Sequence, residues 1–374
     1  AFSPDGRQLA ASSEWDSTMC VWNLETGQPR GTDLAVHLKP PNSIRFLPGD
    51  KELVTAGDDE TIRIWNLADS RQERTMRHVR DQSTHSSSIR GMDVSPDGKY
   101  IVSSSFDDTV RLWETDSGRE VYRLPGHGNV GAYRAIQFTP DAKRLASWGD
   151  DMRVYLWDVA TGKAVQEFIA RPAGLKMDRD ELGNPPFSGP LGLRIEAACF
   201  SPDASELALY LDGVRRFSLR TGEELPRIDC RGGQASRIVI SPDNRYLFWN
   251  AIGKSERGAL KDGSGRRMVT QNHPVELRSL PDGKLIKKLD LPGKWDDVMT
   301  FSPDSSLVAM AVIDDPYRIE LRKIPDLFEV ARIDLPSRAW ALEFSHSGKL
   351  LAASVSDSTV LVWDLDHIRN KKSP

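Results

Sequence analysis

The chain has 374 residues, with 50 Lys or Arg and 54 Asp or Glu, so its net charge is −4 at pH 7. This balance provides no overall field to attract nucleic acid or an anionic membrane surface, and we predict no nucleic-acid partner. The sequence has no apolar stretch of the roughly 20 residues that a membrane helix needs, and no signal peptide is visible in these residues. We therefore predict no membrane insertion by this segment and a cytoplasmic location, unless a targeting segment lies upstream.

A short turn motif, Phe-Ser-Pro-Asp-Gly or a variant of it, recurs eight times along the chain. The copies are centred on Ser3, Leu47, Ser95, Thr139, Ser201, Ser241, Ser302 and Ser345. Their spacings are 44, 48, 44, 62, 40, 61 and 43 residues. A period near 44 residues indicates an array of structural repeats, two of which are enlarged.

Within the clearer copies the order of segments is fixed. An apolar run follows the turn, then come an acidic turn, an alternating strand such as residues 109–113, and a Thr-Gly or Ser-Gly turn. Alternation at period two predicts β-strands, and four short strands fit into each repeat. The predicted repeats are approximately 1–40, 41–88, 89–131, 132–193, 194–233, 234–294, 295–337 and 338–374. Because the repeats run without interruption, we predict one domain covering residues 1–374.

Five of the alternating strands end in a Trp at matching positions, which are Trp22, Trp65, Trp113, Trp157 and Trp363. Six residues earlier stand Asp16, Asp59, Asp107, Asp151 and Asp357. This pattern resembles the WD-repeat β-propeller family, in the style of its bacterial members, over essentially the whole chain. The resemblance implies an all-β propeller of four-stranded antiparallel blades. We predict eight blades, with seven blades plus a spare repeat as the alternative.

The resemblance also implies a buried polar set in each blade. In the family, the Asp and the Trp are joined by a Ser or Thr and by a His that follows a Gly. Here the Gly-His pair is plain only at Gly126-His127, so most blades are expected to hold an incomplete set. Phe217, Arg278 and Arg322 stand where three further Trp residues would be, and we expect those blades to be the least regular.

The chain begins at Ala1 at the end of a predicted first strand and stops soon after Trp363-Asp364. Family propellers close by donating a strand from one terminus to the blade built by the other. We therefore expect the native protein to continue upstream of Ala1. For residues 1–374 by themselves, we expect an exposed edge on the last blade, which favours association.

We predict a binding surface at the propeller's top face, formed by residues before the Pro-Asp-Gly turns and before the acidic turns. Its members are Trp15, Asp58, Arg90, Phe106, Arg134, Asp150, Glu196, Trp295, Asp297, Arg338 and Trp340. Arg and aromatic residues mixed with carboxylates are typical of protein-binding hot spots. The alternative is that the Trp residues pack between blades and the charges are ordinary surface. Residues 171–193, 254–272 and 79–88 form long predicted loops on the same face, either for recognition or as tolerated insertions.

Other motifs do not support catalysis. Residues 126–131 read Gly-His-Gly-Asn-Val-Gly, but they link two predicted strands, whereas a dinucleotide site needs a strand followed by a helix. Cys20, Cys199 and Cys230 are widely spaced, and the His residues lack metal-ligand spacing, so we predict neither metal nor cofactor.

Two functions follow from these observations. The first is a non-catalytic interaction, scaffold or sensor module that binds a protein or peptide on the top face, as part of a longer polypeptide. The resemblance to bacterial WD-repeat proteins implies that this polypeptide carries a fused signalling domain. The alternative is a propeller enzyme or small-molecule binder with its site at the top of the central channel. That site would need convergent ionisable residues with perturbed pKa values.

Overall fold

The computed structural model describes most of the chain as antiparallel β-sheet. The described residues are 1–13, 17–30, 34–35, 37–68, 71–77, 88–107, 109–125, 127, 135–149, 153–169, 197–210, 213–228, 233–253, 273–280, 282–291, 294–313, 316–357 and 359–370. They belong to two compact units, Ala1–Ile195 and Glu196–Pro374, which we call unit 1 and unit 2.

Unit 1 contains four sheets, in each of which consecutive strands are hydrogen-bonded neighbours. The first has β1 (Gln8–Ser12), β2 (Thr18–Asn23) and β3 (Leu34–Ala35). The second has β4 (Pro41–Phe46), β5 (Glu52–Gly57), β6 (Thr61–Asn66) and β7 (Arg71–Arg77). The third has β8 (Ile89–Val94), β9 (Tyr100–Ser105), β10 (Thr109–Glu114) and β11 (Glu120–Pro125). The fourth has β12 (Ala135–Phe138), β13 (Arg144–Trp148), β14 (Arg153–Asp158) and β15 (Ala164–Ile169).

Unit 2 repeats this organisation in four more sheets. The first has β16 (Ala197–Phe200), β17 (Glu206–Tyr210), β18 (Val214–Ser218) and β19 (Glu224–Ile228). The second has β20 (Gly233–Ile240), β21 (Tyr246–Gly253), β22 (His273–Ser279) and β23 (Leu285–Leu291). The third has β24 (Lys294–Phe301), β25 (Leu307–Ile313), β26 (Arg318–Lys323) and β27 (Glu329–Asp334). The last has β28 (Ala339–Phe344), β29 (Leu350–Val355) and β30 (Val360–Asp364), followed by the helix α1 (Leu365–Asn370).

Six of these sheets have the four strands of a blade, and the sheets that contain β1 and β30 have three strands each within the described residues. The prediction of eight four-stranded blades is therefore not confirmed, and seven blades plus a spare repeat stays open. The sheets that carry Phe217, Arg278 and Arg322 each have four strands. The expectation that these would be the least regular blades is therefore not confirmed either.

The repeated turn is held by a buried hydroxyl. In the turn at Ser95, the Ser95 hydroxyl donates to Asp97 Oδ1 at 2.7 Å and accepts from the Tyr100 backbone N–H at 2.9 Å. The same pair of contacts occurs at Thr139 and Ser241. Ser95 is 1% exposed. The Ser-x-Asp spacing thus lets one side chain close the turn while the next strand begins.

Position four of this turn has a left-handed backbone, and Ala142 occupies it with φ of 57°. This conformation costs a residue with a Cβ roughly 1–2 kcal/mol. Ala142→Gly removes this strain, but glycine also has more conformational entropy in the unfolded chain, which offsets part of the gain. We therefore expect the substitution to raise the free energy of unfolding by roughly 0.5–1 kcal/mol. Urea unfolding monitored by circular dichroism measures the change.

The reverse substitution at the equivalent position of the preceding repeat provides the control. Gly98 has φ of 73°, and a Cβ there would lie 2.9 Å from Pro48 Cδ. Gly98→Ala should therefore destabilise the chain. Equal stability of the two variants and the parent would show that the backbone at this turn is not strained.

Candidate interaction site

The acidic turn of the second sheet is anchored by a buried polar set. His37 Nδ1 lies 2.7 Å from Asp59 Oδ1, and His37 Nε2 lies 2.9 Å from Thr55 Oγ1. Trp65 Nε1 donates to Thr55 Oγ1 at 2.9 Å. Because the Asp59 carboxylate only accepts and the Trp65 indole only donates, a neutral His37 imidazole carries its proton on Nδ1 and accepts the Thr55 hydroxyl at Nε2. The set has all four members that the family resemblance implies.

His37 does not fit the Gly-His pattern, because Val36 rather than Gly precedes it. The expectation that only Gly126-His127 supplies the His is therefore wrong for the second repeat. His37 lies 18 residues before Thr55, and His127 lies 20 residues before Ser147. This similar spacing was the signal that could have identified His37.

The other predicted structural residues are placed as follows. His127 Nε2 lies 3.1 Å from Ser147 Oγ, and Trp157 Nε1 donates to the same oxygen at 3.0 Å. Trp113 donates to Ser103 at 2.9 Å. Asp107 pairs with Arg111 at 2.8 Å. Asp357 is exposed, and Trp22 and Trp363 are half-buried. Asp16 and Asp151 lie outside the described residues.

The pKa of Asp59 reflects this anchoring. Burial raises the pKa, but hydrogen bonds from His37, from Thr61 and from the Leu38 backbone outweigh it and hold the pKa well below its ordinary value. The side chain of Asp59 is 3% exposed, and it also pairs with Arg63 at 3.0 Å. The contacts of buried Asp59 thus hold the acidic turn in place, and they position Asp58, the preceding residue, at the surface.

Three residues of the predicted surface meet at this turn. Arg90 Nη1 lies 3.5 Å from Asp58 Oδ1, and the Arg90 guanidinium carbon lies 4.6 Å from the centre of the Phe106 ring. Asn42 Nδ2 donates to Asp58 Oδ1 at 2.6 Å and to the Ile89 carbonyl at 2.8 Å. The cluster joins the end of one sheet to the start of the next. We call the end of each sheet at which its first strand begins the top end.

Unit 2 has a second Arg–aromatic pair at a top end. The Arg338 guanidinium carbon lies 4.5 Å from the centre of the Trp340 ring, and Trp340 is 58% exposed. The Ser356 backbone N–H donates to the Arg338 carbonyl at 2.8 Å, which fixes the backbone beside the pair. An exposed indole is a large apolar surface, so Trp340 is not the packing residue that the alternative interpretation assumed.

The other predicted surface residues are not brought together by the described structure. Trp295 and Asp297 lie on β24, where only the backbone is described. Trp15, Arg134, Asp150 and Glu196 lie outside the described residues, as do the loops 171–193, 254–272 and 79–87. Their roles stay predictions.

One carboxylate on a first strand has an unusual environment. Asp93 Oδ2 accepts a hydrogen bond from the Phe138 backbone N–H at 2.8 Å, which links β8 to the neighbouring sheet. Burial raises the pKa of Asp93, although this hydrogen bond and the charge of Arg45 act in the opposite direction. The link therefore has an electrostatic cost when Asp93 is ionised.

We expect Asp93→Asn to stabilise the chain at pH 7, because Asn keeps an acceptor for Phe138 without a buried charge. A carboxyl whose pKa is raised on folding contributes stability below its unfolded pKa and loses it as pH rises through the folded pKa. The gain from the substitution should therefore shrink as pH falls to about 4. Thermal unfolding of both proteins between pH 4 and 8 measures it. A gain that is independent of pH would contradict the prediction.

The comparisons with known proteins match this architecture. The family described as "WD domain, G-beta repeat" matches residues 1–23, 27–66, 76–114, 118–158 and 336–364. The matched segments cover the Trp-containing repeats at both ends of the chain. The chain belongs to the WD-repeat family. The fold is thus all-β, a β-propeller whose blades are four-stranded antiparallel sheets.

The curated relatives are similar over short segments. The chain is 31% identical over 96 residues to the transcriptional corepressor LEUNIG_HOMOLOG of Arabidopsis thaliana, covering 26% of this chain and 11% of that protein. It is 38% identical over 69 residues to a subunit of chromatin assembly factor 1 from Gallus gallus, covering 17% and 12%. The match thus spans about a tenth of each relative's length.

A solved structure matches nearly the whole chain. It is the crystal structure of the computationally designed Ika8 protein, with a TM-score of 0.69, 18% identity and coverage of 97% of this chain and 94% of that chain. This likeness supports the fold alone. Within the described part of the chain, no helix is long and apolar enough to cross a membrane. The same residues contain no group of three or more His, Cys, Asp or Glu that could hold a metal ion.

Proposed function

We propose that this WD-repeat chain is a non-catalytic interaction module that binds a protein or peptide at its top end, as a scaffold or sensor within a longer polypeptide. One observation carries the proposal: each unit presents an Arg stacked on an aromatic ring at a top end. These pairs are Arg90 with Phe106 and Arg338 with Trp340. Arg and Trp dominate binding energy at protein interfaces because they combine a large apolar area with directional polar groups.

The surrounding contacts support a preformed surface. Asp58 contacts Arg90, Asn42 donates to Asp58, and the buried set around Asp59 fixes the turn. A surface that is ordered before binding loses less conformational entropy when a partner arrives. The relatives named above include a transcriptional corepressor and part of a chromatin assembly factor, which is consistent with a role in protein assemblies. A cytoplasmic location stays a prediction.

The alternative of a channel enzyme needs convergent ionisable groups. Among the described carboxylates with a shifted pKa, only that of Asp93 is raised, and a backbone hydrogen bond and Arg45 account for its surroundings. The lowered pKa values of Asp97, Asp141 and Asp203 arise where these residues close the repeated turns. We therefore prefer the interaction module.

Affinity capture from a native lysate tests the proposal. The bait is the chain, compared with a variant carrying Arg90→Ala, Arg338→Ala and Trp340→Ala, after circular dichroism confirms that both are folded. A matched control is Arg245→Ala. Arg245 also stacks on a ring, that of Tyr246 at 5.2 Å, but it lies at the repeated turn that precedes β21.

We expect a protein that the parent and the Arg245→Ala control capture equally, and that the triple variant captures at least about tenfold less. Measurement of its dissociation constant with purified components completes the test. Capture of the same proteins by all three baits would contradict binding at the top end. In that case a screen of small molecules would take precedence.

A further inference from the structure

Two sheets of unit 2 have Arg at the position of the repeat's Trp, and each Arg contacts the hairpin that joins its third and fourth strands. Arg278 Nη1 donates to the Gly283 carbonyl at 3.0 Å, and Arg322 Nη1 donates to the Leu327 carbonyl at 2.8 Å. Three Trp residues of unit 1 instead donate to a hydroxyl on the second strand, and these are Trp65, Trp113 and Trp157. The Arg residues thus hold the hairpins of the second and third sheets of unit 2.

Each of these Arg residues is itself fixed by a buried carboxylate. Arg278 pairs with Glu276 at 2.7 Å, and Arg322 pairs with Glu320 at 2.7 Å. Both Glu side chains are buried. The two hairpins are therefore ordered before any partner arrives, which reduces the conformational entropy that binding costs.

The hairpin of the third sheet also packs against the sheet before it. Ile324 and Leu327 are buried members of an apolar cluster, and Leu289 of β23 packs against the same cluster. Lys287 stands two residues before Leu289, and Phe328 directly follows Leu327. The fourth strand of the second sheet and the hairpin of the third sheet therefore lie side by side.

These two sheets also expose large apolar side chains. The described hairpins and fourth strands have four such residues, and three of them are Leu285 at 43%, Ile286 at 39% and Phe328 at 52%. The fourth is Val165 of unit 1. Phe328 stands six residues after Arg322, the substitute for Trp. In the other six hairpins this position is polar or charged, with Gln28, Arg71, Arg119, Lys163, Glu223 and Lys284.

The exposed apolar residues are accompanied by positive charge. The ten residues that follow Arg278 have a net charge of +2. They include three lysines and one carboxylate, which are Lys284, Lys287, Lys288 and Asp282. The ten residues after the Trp, or its substitute, in each of the other six hairpins have a net charge of 0 or −1. The excess of positive charge thus distinguishes the second sheet of unit 2.

Six exposed residues of these two sheets form what we call the hairpin surface. They are Lys284, Leu285, Ile286, Lys287, Lys323 and Phe328. Lys323 Nζ lies 5.7 Å from the centre of the Phe328 ring. Because consecutive strands are antiparallel, each hairpin lies at the opposite end of its sheet from the top end. The hairpin surface is therefore separate from the surface that contains Arg338 and Trp340.

We propose that the hairpin surface binds an acidic segment of a partner protein in which Asp or Glu residues are interspersed with Leu or Phe. The apolar side chains of the segment pack on Leu285, Ile286 and Phe328, and its carboxylates pair with the lysines. Complementary charge of this kind selects an acidic partner over a basic one. This second surface does not depend on binding at the top end.

A protein segment fits the hairpin surface better than an anionic membrane does. Asp326 and Glu329 are exposed on either side of Leu327 and Phe328. A membrane surface is a continuous sheet of negative charge, so it would repel both carboxylates. A peptide can place its own carboxylates against Lys284 and Lys287 and its apolar residues against Phe328.

Fluorescence anisotropy with the full chain and a labelled peptide, Asp-Leu-Glu-Asp-Phe-Glu-Asp-Leu-Glu, tests the proposal. One control peptide has Lys in place of every acidic residue, and the other has Ser in place of Leu and Phe. We expect the acidic apolar peptide to bind at least about tenfold more tightly than either control. Its affinity should fall as the salt concentration rises.

Two variants of the chain locate the site. Lys284→Glu/Lys287→Glu should lose the acidic peptide and bind the Lys-containing control, a reversal that loss of structure would not produce. Leu285→Ser/Phe328→Ser should bind the acidic peptide at least about tenfold more weakly. Val165→Ser is the matched control, because Val165 is also exposed on a fourth strand but follows a hairpin with no excess of positive charge. It should bind as the parent does.

Four results would overturn the proposal. The first two are no binding of the acidic peptide and equal binding of all three peptides. The third is loss of the peptide by the variant Arg90→Ala/Arg338→Ala/Trp340→Ala, which would place its site at the top end. The fourth is sedimentation with vesicles that contain phosphatidylserine, lost in Lys284→Glu/Lys287→Glu, without binding of the peptide. That result would assign the hairpin surface to a membrane.

Discussion

Asp59→Ala should lower the free energy of unfolding by about 3–5 kcal/mol, because it removes the acceptor from a buried charge-assisted network. Asp59 accepts from the Thr61 hydroxyl at 2.7 Å and from the Leu38 backbone at 3.0 Å, besides its contacts with His37 and Arg63. Without the carboxylate, buried His37 and mostly buried Arg63 lose their charged partner. Urea unfolding at pH 7, monitored by tryptophan fluorescence, measures the loss.

Asp357 is the matched control, because it occupies the same repeat position. It accepts from the Thr359 hydroxyl at 2.6 Å but is exposed. Asp357→Ala should therefore cost much less than Asp59→Ala. Equal losses at the two positions would show that the turn itself, rather than the buried set, is the source of the stability.

The pH dependence of Asp59→Ala has a definite sign. The folded-state pKa of Asp59 is depressed, so its contribution is present above the unfolded pKa and is lost as pH falls through the folded pKa. The difference in stability between the parent and Asp59→Ala should hold from neutral pH down to about 4 and narrow in stronger acid. A difference that grows on acidification would contradict this assignment.

Glu320→Leu is the second substitution with a large expected effect, about 3–5 kcal/mol of destabilisation. Glu320 is 1% exposed and lies between two arginines. Arg318 Nε donates to it at 3.0 Å, and Arg322 Nη2 donates at 2.7 Å. Loss of the carboxylate leaves both guanidinium groups without their buried partner. Urea unfolding again provides the measurement.

Two further variants separate the buried pair from an ordinary surface pair. The double variant Glu320→Leu/Arg322→Leu should recover part of the loss, because it removes one of the two guanidinium groups that Glu320→Leu leaves without a buried partner. Glu224→Leu breaks the more exposed pair with Arg215 and should cost about 1 kcal/mol or less. A double variant as unstable as the single one would show that packing, rather than an unpaired charge, causes the loss.

The regular part of the fold could be predicted because a few local contacts dictate it. The Ser-x-Asp turn closes on itself, and the Trp reaches back to a hydroxyl ten residues earlier, as Trp65 does to Thr55. Such contacts are visible in the sequence as fixed spacings. Two repeats have Arg at the position of the Trp, and these were harder to interpret. In each of them the Arg is paired with a Glu that stands two residues earlier in the sequence. Glu276 with Arg278 and Glu320 with Arg322 form the same local pair.

The candidate site could be predicted only as a set of positions. Asp58, Arg90 and Phe106 were each identified from their place in the repeat, but their mutual contacts depend on how neighbouring sheets pack. Likewise, the sequence gives no sign that Asp93 reaches the Phe138 backbone, 45 residues away. Contacts between sheets depend on side-chain direction and on strand register, which a single sequence does not specify.

The repeated turn has a consequence for regulation by phosphorylation. Ser3, Ser95, Ser201, Ser241 and Ser302 each precede a proline, so a sequence scan would rate them as acceptors for proline-directed kinases. Each is at most 2% exposed. A phosphate would need space and solvent where the hydroxyl already closes the turn. Phosphate found at these residues would therefore report chains that were modified before folding or after a blade had opened.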